Sequence, residues 1–82
     1  GLPGFYEFQF EIEEPADTFL DTEQWGKGVV FVNNFNIGRF WEIGPQKRLY
    51  VPAPLLKKGK NSLVIFETEG KISGTIRFCD QA

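Results

Sequence analysis

Apolar and polar residues alternate without a break near the start of this chain. One set is Tyr6, Phe8, Phe10 and Ile12, and the interleaved set is Glu7, Gln9, Glu11 and Glu13. A period of two predicts a half-buried β-strand with its aromatic set facing a core. Pro15 ends the segment, because proline cannot donate a ladder hydrogen bond.

Six further short segments have strand character, and no segment has the period of an amphipathic helix. They are Thr18–Leu20, Val29–Val32, Ile37–Trp41, Lys47–Val51, Leu63–Phe66 and Thr75–Cys79. Seven short strands, separated by Gly, Pro and Asn, predict an all-β fold, an antiparallel β-sandwich.

The connections between these strands have their own signals. Asn33-Asn34 predicts a tight hairpin turn, because both residues tolerate positive φ. Gly38 within the return strand predicts a bulge or a close backbone approach. We also expect a break at Gly44-Pro45, a crossover loop or single helical turn over Pro52–Leu56, and turns at 59–61 and 70–74.

Size and composition bound the class of protein. With 82 residues, we expect one domain, residues 1–82, and a chain this short buries only roughly 60% of its unfolded surface. Nine Phe, two Trp and two Tyr can still form a compact core. There is no Met, which suggests a processed chain or one cut from a longer protein, and we adopt the second interpretation.

Several functions are disfavoured by what the composition lacks. The chain has no His, so His-based acid–base catalysis and His metal ligation are excluded. Cys79 is the single cysteine, which precludes an internal disulfide and is expected to be a buried thiol. A net charge of −2 argues against a nucleic-acid surface, and no apolar run is long enough for a membrane span. We expect no cofactor and no metal; calcium would need converging oxygen ligands, for which Asp17, Asp21 and Glu23 are the candidates.

Val29–Val32 and Leu63–Phe66 are apolar at every position, unlike strands with one solvated face. Either another domain covers their outer faces or loops clamp them. We expect such a face to promote self-association of an isolated chain, and Glu at an outward position such as Val30 or Val64 to relieve it. The core positions expected to be largely buried are Phe8, Phe10, Phe31, Val32, Ile65 and Phe66.

The run WGKGVVFVNNFNIGRFWEIGPQKRLYVPAPLLKKGKNSLVIFE closely resembles the C-terminal region of glycoside hydrolase family 35 β-galactosidases. A phrase of the type WGKG-V-F-VNG-N-LGR-[FY]-W-IGPQ-LYVP-P-LK-G-N-V-FE recurs there in a galactose-binding-like jelly-roll domain. The resemblance is close over 25–67 and looser at Pro3–Tyr6 and Pro15–Leu20. Asn34 stands where the family phrase has Gly, and both residues suit positive φ.

The resemblance implies a non-catalytic jelly-roll domain from an enzyme that removes terminal β-linked galactose. The paired catalytic glutamates of that family lie in a separate TIM barrel, which no residue here matches, so we expect no catalytic residue in this chain. The implied partners are neighbouring domains of the parent enzyme. A complete domain of this kind is longer, so some strands would be missing or supplied by a preceding domain.

A free-standing carbohydrate-binding module that recognises galactosides is the alternative. Trp rings stack on pyranoses, and Asn and Arg meet sugar hydroxyls. The candidate carbohydrate-binding residues are Trp25, Asn34, Asn36, Arg39 and Trp41, with Asn33 and Phe35 beside them. The competing interpretation places Trp41 in the core, Trp25 at a sandwich end and the asparagines in turn backbone. Arg39 could instead pair with a carboxylate across a domain interface.

Overall fold

A computed structural model describes residues 4–44, 48–72 and 74–80. This part of the chain forms seven β-strands and one 3-10 turn, Ala53–Leu55, between the fifth and sixth strands. The strands are β1 Gly4–Ile12, β2 Thr18–Asp21, β3 Lys27–Val32, β4 Phe35–Trp41, β5 Arg48–Val51, β6 Gly59–Glu67 and β7 Phe78–Cys79. No helix among the described residues is long and apolar enough to cross a membrane.

The strands form two antiparallel sheets. The first has the order β1-β6-β3-β4 and the second the order β5-β2-β7. These sheets confirm the predicted fold class, an antiparallel β-sandwich. The core between them is a single cluster of buried side chains: Leu20, Trp25, Val30, Val32, Phe40, Leu49, Val51, Leu56, Leu63 and Ile65.

The hairpin between β3 and β4 follows the sequence prediction. Asn33 and Asn34 both adopt positive φ, 48° and 73°, as a two-residue hairpin turn requires. The β3–β4 register shifts between Val30 and Phe31, beside Gly38, whose φ is 133°. The predicted bulge at Gly38 is confirmed, and a residue with a Cβ would be strained there.

The glycines of the WGKG segment allow two close backbone approaches. A Cβ on Gly28 would collide with the carbonyl oxygen of Phe66 on the paired strand. A Cβ on Gly26 would collide with Oε2 of Glu67. The spacing of these two glycines therefore follows from the packing of β3 on the end of β6.

Several predicted boundaries differ from the structure, and β1, β3 and β4 each begin two residues earlier than predicted. Residues 59–61 begin β6 instead of forming a turn, because β1 is long enough to pair Ile12 with Gly59. The last strand contains only Phe78 and Cys79 of the predicted segment. Lys47 and Pro45, the expected start of β5 and part of the expected break, lie outside the described residues.

The phase of the doubly apolar strands was predicted incorrectly at three positions. Val30 points into the core and is fully buried, so it is not an outward position. Phe31 and Phe66 point away from the core and are half-buried on the outside of the sheet. Val32 and Ile65 are buried as predicted. Phe8 and Phe10 face the core but stay half-buried, because β1 is an edge strand.

Candidate functional site

The candidate site is the side of the four-stranded sheet that faces away from the core. We call it the outer face and define it by Phe5, Val29, Phe31, Arg39, Trp41, Val64 and Phe66. Their position follows from alternation along each strand, since Val30, Val32, Leu63 and Ile65 fill the core. No loop in the described part of the chain buries the outer face: its aliphatic and aromatic residues are half-buried or exposed, and Phe5 is 71% exposed.

Neighbouring strands bring the outward residues together in rows. Phe66 pairs with Phe5 on one side and with Val29 on the other, and Val29 pairs with Arg39. The rings of Phe5 and Phe66 lie 4.6 Å apart in a tilted arrangement. This row therefore runs across the whole sheet, with aromatic side chains at one end and a cation at the other.

A depression of about 610 Å³ lies at the cationic end of this row. Val29, Arg39, Trp41 and Phe66 contribute to its lining, together with Lys27. The Lys27 ammonium lies 4.6 Å from the centroid of the Trp41 ring, within the range of a cation–π contact. Trp41 is 45% exposed, so the interpretation that placed it in the core is wrong.

Arg39 is the charged residue best placed for recognition. It is exposed, and no hydrogen bond or ion pair joins its side chain to another described residue. A guanidinium can bind a carboxylate in a bidentate manner or stack on an aromatic ring. The depression can therefore accept an apolar group with an acidic or hydroxyl-bearing group beside it.

The asparagines divide into structural and exposed residues. Asn33 donates from Nδ2 to the Leu55 carbonyl at 2.8 Å and to Asn61 Oδ1 at 2.9 Å, which ties the hairpin to the loop before β6. Asn36 accepts a hydrogen bond from Gly38 N at 2.8 Å, which stabilises the bulge. Asn34 and Asn36 are exposed near the hairpin end, and neither lines the depression. Of the five candidate sugar-binding residues, the depression brings only Arg39 and Trp41 together.

Trp25 lies in the core, where it is only 1% exposed. Tyr6 and Phe8 contact its ring edge-to-face, with centroids 5.8 and 5.9 Å away. In this conformation the indole presents no face to a ligand. Sequence reasoning missed Lys27 and Phe5 as parts of the outer face, although the alternation that begins at Tyr6 would have placed Phe5 there if extended by one residue.

Glu67 is a fully buried carboxylate, and it serves the backbone. It accepts hydrogen bonds from the N–H groups of Lys27 at 3.2 Å, Gly70 at 2.5 Å and Lys71 at 3.3 Å. These bonds fix the turn after β6 against the start of β3. Glu67 is thus engaged in structure and closed to substrate.

Two aspartates near β2 are engaged as well. Asp21 Oδ2 accepts from Arg77 at 2.8 Å and Oδ1 accepts from Glu23 N at 2.9 Å. Burial alone would raise the pKa of Asp21, but these hydrogen bonds and the nearby guanidinium groups leave it below its usual value. Hydrogen bonds from Ala53 N and the Tyr50 hydroxyl lower the pKa of Asp17. Among residues 4–44, 48–72 and 74–80, no three His, Cys, Asp or Glu converge to hold a metal ion.

Comparison with known proteins points to one family. A family model described as "Beta-galactosidase, galactose-binding domain" matches residues 3–61. Beta-galactosidase 17 of Arabidopsis thaliana is 59% identical over 71 residues, which cover 82% of this chain and 10% of that protein. Beta-galactosidase 8 of Oryza sativa subsp. japonica is 62% identical over 69 residues, 79% of this chain and 10% of that protein. Beta-galactosidase-1-like protein 2 of Homo sapiens is 52% identical over 67 residues, with 80% and 10% covered. The chain thus spans about a tenth of the length of these relatives.

Proposed function

Since the chain belongs to the galactose-binding domain family of β-galactosidases, we propose that it is a non-catalytic domain that docks through its outer face on a neighbouring domain of such an enzyme. Its role is to stabilise the part of the enzyme that carries the active site. The activity of that enzyme is the hydrolysis of terminal β-galactosyl residues, an assignment supported by the names of the relatives.

The outer face carries the proposal. Four of its apolar residues, Val29, Phe31, Val64 and Phe66, lie on the two central strands of the sheet, where a sheet face exposed to water is expected to be polar. Contiguous apolar surface on a folded domain marks an interaction site. Phe5 and Trp41 extend this surface to both edges of the sheet, and Arg39 adds a charge for orientation.

The environment of the two buried carboxylates, Asp21 and Glu67, supports a non-catalytic role. Retaining glycoside hydrolysis needs two carboxyl groups about 5–5.5 Å apart on a substrate-accessible surface. Glu67 is buried under backbone donors, and Asp21 is buried and paired with Arg77. Neither is available as a nucleophile or general acid.

The state of association of the isolated chain tests this proposal. We expect the chain to self-associate at concentrations near 100 μM, because the apolar outer face lacks its partner (an order-of-magnitude choice for a weak contact). Val64→Glu should make it monomeric in sedimentation velocity while the domain stays folded by circular dichroism. Ala16→Glu, which adds the same charge at an exposed position in the loop between β1 and β2, is the control and should leave association unchanged. A wild-type chain that stays monomeric at millimolar concentration would contradict the proposal.

Galactoside binding is the second candidate function, and the depression at Arg39 and Trp41 favours it. Trp41 offers exposed aromatic surface and Arg39 offers unengaged donors in one concave surface. Titration with methyl β-galactoside, followed by amide chemical shifts, distinguishes the two. Shifts confined to this depression and lost in Arg39→Ala and Trp41→Ala would favour binding of sugar, and their absence favours docking alone.

A further inference from the structure

The positive charge of the outer face is concentrated in the depression beside Trp41. Lys27 and Arg39 both contribute to its lining, and no Asp or Glu of the described chain does. Neither cation forms an ion pair with another described residue. The chain as a whole has a net charge of −2, so this depression is a local reversal of sign that attracts an anion.

The pairing of β3 with β4 places both cations next to Trp41. Lys27 lies directly opposite Trp41, and Val29 lies opposite Arg39. Arg39 and Trp41 are two residues apart on β4, so their side chains leave the same side of the sheet. Lys27 and Arg39 are therefore diagonal neighbours across the two strands, about 7–8 Å apart. A carboxylate can contact both side chains at once, because both are long and exposed.

Exposed aromatic surface lies beside the two cations. The Lys27 ammonium is over the Trp41 ring, yet Trp41 stays 45% exposed, so part of the indole is free to contact a ligand. An aromatic ring of this kind can pack against the apolar face of a pyranose. The volume of about 610 Å³ lies within the range of small-molecule sites, roughly 300–1,000 Å³. The guanidinium fork of Arg39 matches a carboxylate in a bidentate manner, and the Lys27 ammonium adds a second charge.

We propose that the depression binds a pyranose that carries a carboxylate, a uronic acid, in preference to the corresponding neutral sugar. The apolar face of the sugar ring contacts Trp41, and the carboxylate lies between Arg39 and Lys27. This preference rests on the second candidate function, galactoside binding, and narrows the ligand to galactosides that are oxidised to a carboxylate at C6. It does not require docking, since Arg39 and Trp41 lie on β4, an edge strand, whereas the centre of the outer face lies on β3 and β6.

Two sugars that differ only at C6 test the charge preference. Methyl β-galactoside has a neutral hydroxymethyl group at C6, and methyl β-galacturonoside has a carboxylate, which is ionised at about pH 7. Each sugar is titrated into the 82-residue chain, and amide chemical shifts are followed. We expect the acidic sugar to shift the amides of Lys27, Arg39 and Trp41 and to bind at least about tenfold more tightly, because it gains charge-assisted hydrogen bonds. The advantage of the acidic sugar should shrink between about 0.01 M and about 1 M salt, since salt screens exposed charges.

Variants at the two cations separate the effect of charge from that of shape. Arg39→Gln and Lys27→Gln each keep a long polar side chain. Each should weaken binding of the acidic sugar by about fivefold or more and change binding of the neutral sugar by less than about twofold. Arg39→Lys keeps the charge but loses the guanidinium fork, so it should retain only part of the preference. Lys58→Gln removes the same charge from the exposed loop before β6, and as the matched control it should bind both sugars as the wild type does.

Acetate, titrated at the same concentrations, measures the binding of a carboxylate without a sugar ring, and it should shift these amides far less than the acidic sugar does. Equal affinity for the two sugars would overturn the charge preference and leave galactoside binding standing. Acetate shifts as large as those of the acidic sugar would overturn it as well, because the ring would then contribute nothing. So would a preference that survives in both Arg39→Gln and Lys27→Gln. If neither sugar shifts these amides, galactoside binding fails together with the preference, whereas docking is decided separately by the association of the chain.

Discussion

At Gly28 the fold requires a residue without a Cβ atom. Its Cα passes so close to the Phe66 carbonyl that a Cβ would overlap it, and backbone on a paired strand cannot move aside as a flexible side chain can. Two residues earlier, Gly26 leaves room for the buried carboxylate of Glu67, which in turn holds Lys27 N. The two glycines and the glutamate form one structural unit that joins β3 to β6.

Gly28→Ala should therefore destabilise the domain strongly. We expect a loss of about 1–3 kcal/mol or more in the free energy of unfolding, since overpacking against backbone forces the strands apart. Chemical denaturation measures it. Gly74→Ala is the matched control, because a Cβ there meets no atom within 4 Å, and it should change stability by less than about 0.5 kcal/mol. Equal stability of the two variants would show that β3 and β6 are not as close as described.

Asp21 makes the stability of the domain depend on pH. Its folded pKa lies below the usual value, despite burial, because Glu23 N and Arg77 stabilise the charged form. A lowered folded pKa contributes stability above the unfolded pKa of about 3.9, and that contribution disappears as pH falls through the folded pKa. The Arg77 side chain is 70% exposed, so solvent screening reduces the effect.

Asp21→Asn should be less stable than the wild type near pH 7. The difference in the free energy of unfolding should become smaller below about pH 4, where wild-type Asp21 also becomes protonated. Thermal melts of both proteins from pH 2 to pH 7 measure the difference. Glu13→Gln, at an exposed position, is the control and should follow the wild-type profile. A deficit that stays constant across this range would mean that the Asp21 charge contributes nothing.

At the scale of whole strands, the composition of the outer face depends on which residues of β3 point outward and which point into the core. Val29 and Val30 are adjacent and chemically identical, yet Val30 is fully buried and Val29 is only half-buried. Val30→Glu would bury an unpaired charge, which costs several kcal/mol and should unfold so small a domain. Val29→Glu should remain folded, with a stability change of about 1 kcal/mol or less.

Circular dichroism melts of these two variants check the phase of β3. If Val30→Glu stays folded and Val29→Glu unfolds, Val29 faces the core and Val30 belongs to the outer face, which is the opposite of the description above. If both variants unfold, loops cover the outer face and the docking proposal fails.

The sequence predicted strands correctly where apolar and polar residues alternate. It did not predict which side chains face the core where every residue of a strand is apolar. Strict alternation predicted the inward and outward sets of β1 and its extent to within two residues, and Asn33-Asn34 predicted the position of the hairpin. In Val29–Val32 every residue is apolar, so alternation cannot distinguish the core set from the outer set. Gly59 and Asn61 have turn chemistry, but the length of β1 gives them strand partners. Arg39 and Trp41 were found from residue type, whereas Lys27 joins them only through the β3–β4 pairing.

At the scale of the molecule, the outer face of the four-stranded sheet is the apolar surface that has no partner within the described residues. The core is closed by Trp25 and Leu56, and the four-stranded sheet turns an aromatic and aliphatic face outward. The chain spans about a tenth of the length of its relatives, and a contiguous apolar face on a folded domain marks a surface that another protein segment covers. The central claim is that a neighbouring domain of the β-galactosidase does so.

The thermal stability of the full-length enzyme tests this claim most directly. Val64→Glu places a charge in the centre of the outer face, and Ala16→Glu places the same charge in the exposed loop between β1 and β2, outside that face. We expect Val64→Glu to lower the melting temperature of the enzyme by several degrees, because docking is lost (about 1–3 kcal/mol for a buried, unpaired charge at an interface). The same substitution should lower the melting temperature of the isolated domain by less than it lowers that of the enzyme, and Ala16→Glu should leave both unchanged. An enzyme that melts at the wild-type temperature with Val64→Glu would contradict docking through the outer face.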